Sequence, residues 1–168
     1  QNKMTIQKMY DASGHYNVSG TGYSPEGEIT DEAGSTPASY PDRLIEGALL
    51  CNDATYDPDK QTIVGDPTEA AMVVLAYKHG MKKAEWEAKY PRVQEIPFDS
   101  DRKLMSTFHK IGDSIPMSTK GAPDELLRRC TRIEENGTVN PLTDAKREEI
   151  LGVNQDMAQS ALRVIGVA

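Results

Sequence analysis

The sequence has 168 residues, of which 38% are hydrophobic and 27% charged, and its formal net charge is -7. This balance is typical of an acidic, soluble, folded chain long enough to bury a core, and it excludes a disordered tail. It also excludes a general nucleic-acid binder, because phosphate backbones are bound by basic surfaces. An anionic ligand would therefore need a local cluster of lysines and arginines.

The two ends of the sequence indicate a piece of a larger protein. The chain opens without a start methionine or a signal peptide pattern, as if entered in the middle of a strand. No apolar run approaches the roughly 20 residues that span a bilayer. We therefore expect a fragment that is itself outside the membrane and monomeric.

The cysteines and histidines give little support for a metal site. Cys51 lies in an apolar run and Cys130 at a helix end, which suits two reduced thiols, although the spacing leaves a disulfide open. His15, His79 and His109 are far apart, with no CxxC or HExxH pattern around them. We expect no metal ligands in this chain.

In the first half, strands precede helices. β-branched and aromatic residues predict strands, polar stretches predict loops, and helical spacing of apolar residues predicts helices. The predicted strands are 3–10 and 15–23, the loops 24–41 and 54–65, and the helices 41–53 and 66–80. The last helix is the best marked, because Asp66 is a natural N-cap, Pro67 sits at the first helical position and Gly80 follows the end.

The second half alternates between short strands and helices. Its predicted helices are 81–90, 122–130 and about 143–161, and its predicted strands are 92–98, 103–110, 114–119 and 163–168. Residues 111–113 should turn two strands into a hairpin, and Asn136 with Gly137 marks another tight turn. Such turns predict an α/β fold of the α+β type, with a mostly antiparallel twisted sheet flanked by helices.

A lysine stands directly before one predicted helix, in the stretch TKGAPDELLRRC. Pro123 fits the first helical turn, and the acids that follow it favour the positive end of the helix dipole. Gly121 would let a ligand approach the backbone closely. Lys120 is then either a plain solvated charge at a helix start or part of a ligand site.

Common phosphate-loop, dinucleotide and hydrolase motifs are absent from the sequence. Four short segments remain: GDPTEAA at 65–71, PFDSDRKLMS at 97–106, STKGAPDE at 118–125 and ALRVIGVA at 161–168. Their order and content together resemble the nucleotide-binding (N) domain of type II P-type ATPases, the calcium-pump-like branch. GDPTEAA and PFDSDRK are most similar to the bacterial and secretory-pathway calcium pumps.

The resemblance extends over nearly the whole chain, through NKMT, GTGYSPEGE and LLCND. It implies that residues 1–168 are a single nucleotide-binding domain, a cytoplasmic fragment of a plasma-membrane pump, inserted between two halves of the phosphorylation domain. The implied ligand is ATP, as Mg-ATP in the intact pump, and the implied partners are the phosphorylation and actuator domains. The phosphorylated aspartate is missing, so we expect no catalytic residue and no turnover by the fragment.

The family's ATP-binding positions carry over onto nine residues of this chain. They are Thr68, Glu69, Phe98, Arg102, Lys103, Met105, Lys120, Gly121 and Arg163. Two departures from the family pattern concern Ser100, where some animal calcium pumps have arginine, and Asp124, where the usual KGAPE reads KGAPD.

The resemblance implies that Phe98 stacks on adenine and that Glu69 accepts a hydrogen bond from the adenine amino group. The alternative for Phe98 is a place in the core. For Glu69 it is a capping box with Asp66, and Thr68 shares that alternative. Lys120 would line the adenine pocket and face the ribose and phosphates.

Positive charge near the phosphates is implied for Arg163, Arg102 and Lys103. Arg163 stands in an otherwise apolar segment and needs a carboxylate or a ligand as partner. Arg102 and Lys103 are alternatively solvated hairpin ends, or Arg102 pairs with Asp99 or Asp101. A rival function is a non-enzymatic protein-interaction domain; an unrelated ATP-using enzyme has no converging base, nucleophile or metal set to support it.

Overall fold

The structure, a computed structural model, describes residues 3–168. Asn2 of the NKMT segment therefore lies outside the described residues. The chain opens with an antiparallel three-stranded sheet in the order β1-β2-β3, formed by Lys8–Asp11, Gly14–Val18 and Ile29–Asp31. Both predicted strands are shortened. The second ends before Gly20, whose φ of 99° suits a turn and not a strand.

β3 was predicted as loop, and that prediction was wrong. The strand has three residues, of which Ile29 is buried in the core. Asp31 ends it, because its Oδ1 accepts hydrogen bonds from the backbone N–H groups of Ala33 and Ser35. A strand this short is formed by its pairing with β2 and has no periodicity of its own to reveal it.

Helix α1 (Asp42–Leu50) and helix α2 (Pro67–Lys78) confirm the predicted helices and frame a small hairpin of β4 (Thr55–Asp57) and β5 (Thr62–Val64). This hairpin was also predicted as loop. Its turn is organised by Asp57, whose Oδ1 accepts from the N–H groups of Asp59 and Lys60.

The second half supplies helix α3 (Lys83–Lys89), three strands and helix α4 (Pro123–Arg129). The strands are β6 (Arg92–Asp99), β7 (Leu104–His109) and β8 (Met117–Gly121). The hairpin β9 (Arg132–Glu135) and β10 (Thr138–Pro141), helix α5 (Asp144–Gln159) and strand β11 (Gly166–Val167) follow. The predicted turns at 111–113 and at Asn136 are confirmed.

The α+β class and the antiparallel pairing are confirmed, since every paired strand among the described residues runs antiparallel. These strands form four sheets, of which the largest has the order β11-β8-β7-β6. The predicted strand 163–168 is reduced to its last part, β11. None of the helices in residues 3–168 has the length and apolar character needed to cross a membrane.

The hydrophobic core lies between the first sheet and helices α1 and α2. Helix α2 is buried over Ala70 to Ala76, and the carbonyl of Glu69 in its first turn accepts a hydrogen bond from Asn52, which follows α1. The main side chains of this core are Met9, Tyr16, Ile29, Ile45, Leu49, Ala70, Val73, Leu75 and Ala76. Packing of this kind holds α2 in a fixed position relative to α1 and the first sheet.

Candidate functional site

Lys120, near the end of β8, forms an ion pair with Glu69 in the first turn of α2. Lys120 Nζ lies 2.6 Å from Glu69 Oε2, and Nζ also donates to the backbone carbonyl of Cys51. The two side chains are only 8% and 17% exposed. Charges withdrawn from water in this way need close partners, and each is the partner of the other. Lys120 is therefore not a plain solvated charge.

Glu69 forms only one half of a capping box. Its backbone N–H donates to Asp66 Oδ2 at 3.1 Å, as the N-cap prediction required. Its carboxylate, however, lies against Lys120 and accepts the backbone N–H of Asp53 at 3.2 Å. The side chain of Glu69 is thus turned away from the cap and toward the four-stranded sheet.

The segment after α1 organises this ion pair, and its role was not predicted from the sequence. Asn52 is fully buried; its Nδ2 donates to the carbonyls of Ala48 and Glu69 at 3.2 and 2.9 Å, and its Oδ1 accepts from Ala54 N–H. The sequence LLCND showed the end of a helix. An asparagine directly after a helical apolar run was the one available sign that its amide would bond backbone groups.

Met105 lies beside Lys120, because the two residues are paired across β7 and β8. Met105 is buried, and its carbonyl accepts from the thiol of Cys51 at 3.4 Å. Burial raises the pKa of the Cys51 thiol, so this thiol is a structural group rather than a nucleophile. Cys51 and Cys130 are both free thiols.

Phe98 is 63% exposed near the end of β6, so its alternative as a core residue is wrong. The strand register places it at the same end of the sheet as Lys120. Asp99 is opposite Leu104, and Leu104 is opposite Gly121, so that neighbouring residues of three strands meet in one row. A bulge between Ile96 and Asp99 interrupts the pairing at Phe98. Bulges of this kind re-aim side chains.

Gly121 is required by the protein's own backbone. Its φ is 154°, and a Cβ at this position would lie 2.2 Å from the carbonyl oxygen of Lys103 and 2.9 Å from Leu104 Cδ2. The same Lys103 carbonyl accepts the N–H of Ala122 at 3.2 Å. The close contact between β8 and the β6–β7 turn thus accounts for the glycine. That the glycine also leaves space for a base stays a prediction.

Arg102 binds its own hairpin. Nη1 donates to Ser106 Oγ at 3.1 Å and Nη2 to the Leu104 carbonyl at 3.0 Å. Asp99 instead accepts the N–H groups of Asp101 and Arg102, and these bonds lower the pKa of its carboxyl group. Among the described residues, Arg102 has no ion pair with either acid, so that alternative is wrong.

The remaining predicted site residues lie nearer the surface. Lys103 is exposed, at the corner of the β6–β7 turn, with a φ of 61°. Thr68 is half-buried, and its hydroxyl donates to Met4 Sδ at 3.3 Å. Arg163 is exposed in the irregular segment between α5 and β11, three residues before Gly166, which pairs with Gly121. The predicted strand 163–168 was wrong at Arg163, because regular pairing starts only at Gly166.

The arrangement therefore brings a buried cation, a half-buried carboxylate and an exposed aromatic ring to one end of a sheet. A family model described as P-type ATPase, cytoplasmic domain N, matches residues 41–168. The chain belongs to this family. The resemblance on which the sequence analysis relied is thereby confirmed, and so is the α+β fold expected of the N domain.

Several bacterial pumps are similar to this N domain. Calcium-transporting ATPase 1 of Bacillus cereus is 46% identical over 125 residues, which cover 74% of this chain and 14% of the relative. Cation-transporting ATPase pma1 of Synechocystis is 36% identical over 100% of the chain and 19% of its own length. Calcium-transporting ATPase lmo0841 of Listeria monocytogenes is 36% identical over 98% of the chain and 17% of its own length. The chain thus spans less than a fifth of each of these relatives.

Proposed function

We propose that this N domain binds ATP for a cation-transporting P-type ATPase, with calcium as the transported ion, and delivers the γ-phosphate to an aspartate in a phosphorylation domain. The single observation that carries the proposal is the ion pair of Lys120 and Glu69 at the same sheet end as the exposed ring of Phe98. The names of the relatives from Bacillus and Listeria support the choice of calcium.

Adenine would stack on Phe98. An aromatic side chain that is 63% exposed leaves a large apolar face in water, and a flat base would cover it. Contacts of this type contribute roughly 1–3 kcal/mol in other base-binding proteins. Met105 and Lys120 lie on the two neighbouring strands and would form the floor of the pocket.

Glu69 would distinguish ATP from GTP. Within residues 3–168, both hydrogen bonds to its carboxylate go to Oε2, from Lys120 and from the Asp53 N–H. Oε1 is then the atom that would accept the exocyclic amino group of adenine. Guanine presents a carbonyl oxygen at the corresponding position. This oxygen and Glu69 Oε1 are both acceptors, so no hydrogen bond would form between them and GTP would bind less tightly than ATP.

Exposed cations would meet the phosphates. Lys103 and Arg163 are solvent-accessible, and Arg102 contributes charge while holding the turn on which Lys103 lies. Binding and positioning are the whole contribution of this chain, because phosphoryl transfer depends on alignment and electrostatic stabilisation. We expect the fragment alone to bind Mg-ATP without hydrolysing it.

The larger protein would be a membrane pump in which this chain is one cytoplasmic domain. Its partners would be the phosphorylation and actuator domains of the same pump. An open pocket with one aromatic ring, one carboxylate and a few cations should bind ATP weakly in isolation, near the millimolar range that corresponds to about -4 kcal/mol.

The test is a two-dimensional amide NMR titration of the 168-residue chain with ATP, repeated with GTP. We expect saturable changes in the amide chemical shifts around Glu69, Phe98, Lys120 and Arg163, and we expect these changes to be larger with ATP than with GTP. A folded protein whose signals do not move at millimolar ATP would overturn the proposal. The result would then favour the rival, a protein-interaction domain without a nucleotide site.

A further inference from the structure

Arg92, the first residue of β6, connects two parts of the molecule that meet at the candidate site. Its Nη1 lies 2.7 Å from Asp53 Oδ1 and 2.9 Å from Glu95 Oε2, and its Nη2 donates to the carbonyls of Asn52 and Leu50 at 3.0 and 3.3 Å. The side chain is 23% exposed. One guanidinium group thus joins the strand that carries Phe98 to the end of α1.

The segment that Arg92 holds is the one that contacts the ion pair. The Cys51 carbonyl accepts from Lys120, Asn52 Nδ2 donates to the Glu69 carbonyl at 2.9 Å, and the Asp53 N–H donates to Glu69 Oε2 at 3.2 Å. Three consecutive residues therefore each contact Glu69 or Lys120. The hydrogen bonds of Arg92 itself go to Asn52 and Asp53 of this segment, to the Leu50 carbonyl at the end of α1, and to Glu95.

We infer that Arg92 is a positioning residue of the nucleotide site, which orients the carboxylate of Glu69 through the backbone of residues 51–53; this inference rests on the proposed function. The Asp53 side chain is 57% exposed, and of residues 51–53 only Cys51 is tied to α1 by a backbone hydrogen bond, from its N–H to the Gly47 carbonyl at 3.0 Å. Without Arg92 the Asp53 N–H loses its anchor, and the Glu69 carboxylate can turn around its bond to Lys120.

Geometry explains why an arginine occupies this position. The two terminal nitrogens of a guanidinium group point in different directions, so that one meets carboxylates while the other meets carbonyls. A lysine presents a single ammonium group and would keep the contact with Asp53 at best. In Arg92→Lys the orientation of the Glu69 carboxylate should therefore be kept only in part.

The experiment measures the Kd of ATP and of GTP for the wild-type chain, Arg92→Met and Arg92→Lys. Arg43→Met is the matched control, since it also removes one positive charge but from a side chain that is 81% exposed. Loss of a positioning contact should raise the Kd of ATP roughly 3- to 10-fold and leave the Kd of GTP nearly unchanged. The preference for ATP over GTP, given by the ratio of the two Kd values, should therefore fall. The ratio of the two Kd values for Arg92→Lys should lie between those of the wild type and Arg92→Met. Arg43→Met should keep the wild-type ratio.

The preference for ATP over GTP distinguishes a positioning role of Arg92 from a purely structural one. A structural role would lower the free energy of unfolding and leave the ATP-to-GTP ratio of the folded fraction as it is. A folded Arg92→Met with an unchanged ratio would overturn the inference alone, whereas a wild type that binds neither nucleotide would overturn the proposed function together with it.

If Arg92→Met does not fold, Asp53→Asn serves in its place. It keeps the backbone N–H that contacts Glu69 but removes the charge that Arg92 binds. We expect a smaller loss of discrimination in the same direction. Unchanged discrimination in both Asp53→Asn and Arg92→Lys would then overturn the inference.

Discussion

Lys120 of β8 and Glu69 of α2 bind each other at 2.6 Å between Nζ and Oε2, and neither side chain is more than 17% exposed. The pair joins the first turn of α2 to the four-stranded sheet. These two residues therefore contribute to the fold as well as to the candidate site.

Loss of one member of this pair should destabilise the fold. Lys120→Met leaves the Glu69 carboxylate and the Cys51 carbonyl without their common donor, which should lower the free energy of unfolding by about 3 kcal/mol. Urea denaturation at neutral pH measures this change. As a control, Arg128→Met removes an ion pair whose arginine is 69% exposed and should cost less than about 0.5 kcal/mol. Equal costs for the two variants would contradict the prediction.

Phe98→Ala should affect binding and spare stability. The ring is mostly in water, so its removal should change the free energy of unfolding by less than about 0.5 kcal/mol. The affinity for ATP should fall roughly 5- to 150-fold, the equivalent of one stacked base. Val93→Ala, on the same strand and 51% exposed, is the matched control. If both variants bind ATP like wild type, Phe98 has no part in the site.

Gly121→Ala should be poorly tolerated for a reason unrelated to ligands. The added Cβ would meet the Lys103 carbonyl oxygen at 2.2 Å, so backbone must move, at a cost of more than about 2 kcal/mol. Gly112→Ala is the comparison, because that glycine also has a positive φ, 60°, but open space around it. It should cost about 1 kcal/mol. The thermal unfolding midpoints of the two variants measure the difference, and a Gly121→Ala protein as stable as Gly112→Ala would refute the steric argument.

His109 should make stability depend on pH near neutrality. The ring is 1% exposed; its Nδ1 must donate to the Tyr90 carbonyl at 3.0 Å, which leaves Nε2 to accept from the Thr107 hydroxyl at 2.7 Å. Burial lowers the pKa of His109 below its ordinary value of 6.5. The unfolded chain therefore takes up a proton before the folded one does, and stability falls as pH drops below about 6.5.

Urea denaturation between about pH 7.5 and pH 5.5 tests this prediction, since side-chain carboxyl groups titrate mostly below that window. The wild type should lose stability as the pH falls, and His109→Gln should show a smaller loss. His15→Gln removes an exposed imidazole and serves as the control. An equal pH dependence in wild type and His109→Gln would contradict the assignment.

Some features of this fold are encoded locally and others are not. Helix α2 was predictable because Asp66 and Pro67 mark its start and Gly80 follows its end. The β4–β5 hairpin was not, since strands of three residues carry no periodicity. The contacts of Arg92 join residues about 40 positions apart, and only the folded chain shows that they meet. The exposure of Phe98 likewise depends on a bulge that no local pattern announces.

Strand β11 has a consequence for how the domain folds. β6, β7 and β8 are joined by short turns and can form early, but β11 reaches β8 only after α4, the β9–β10 hairpin and α5. Closing so long a loop is slow, because its entropy is lost before the new contacts compensate. Until Val167 pairs with Lys120, β8 is an edge strand with unpaired backbone groups. The strand that carries Lys120 is therefore open to wrong pairing until β11 has joined the sheet.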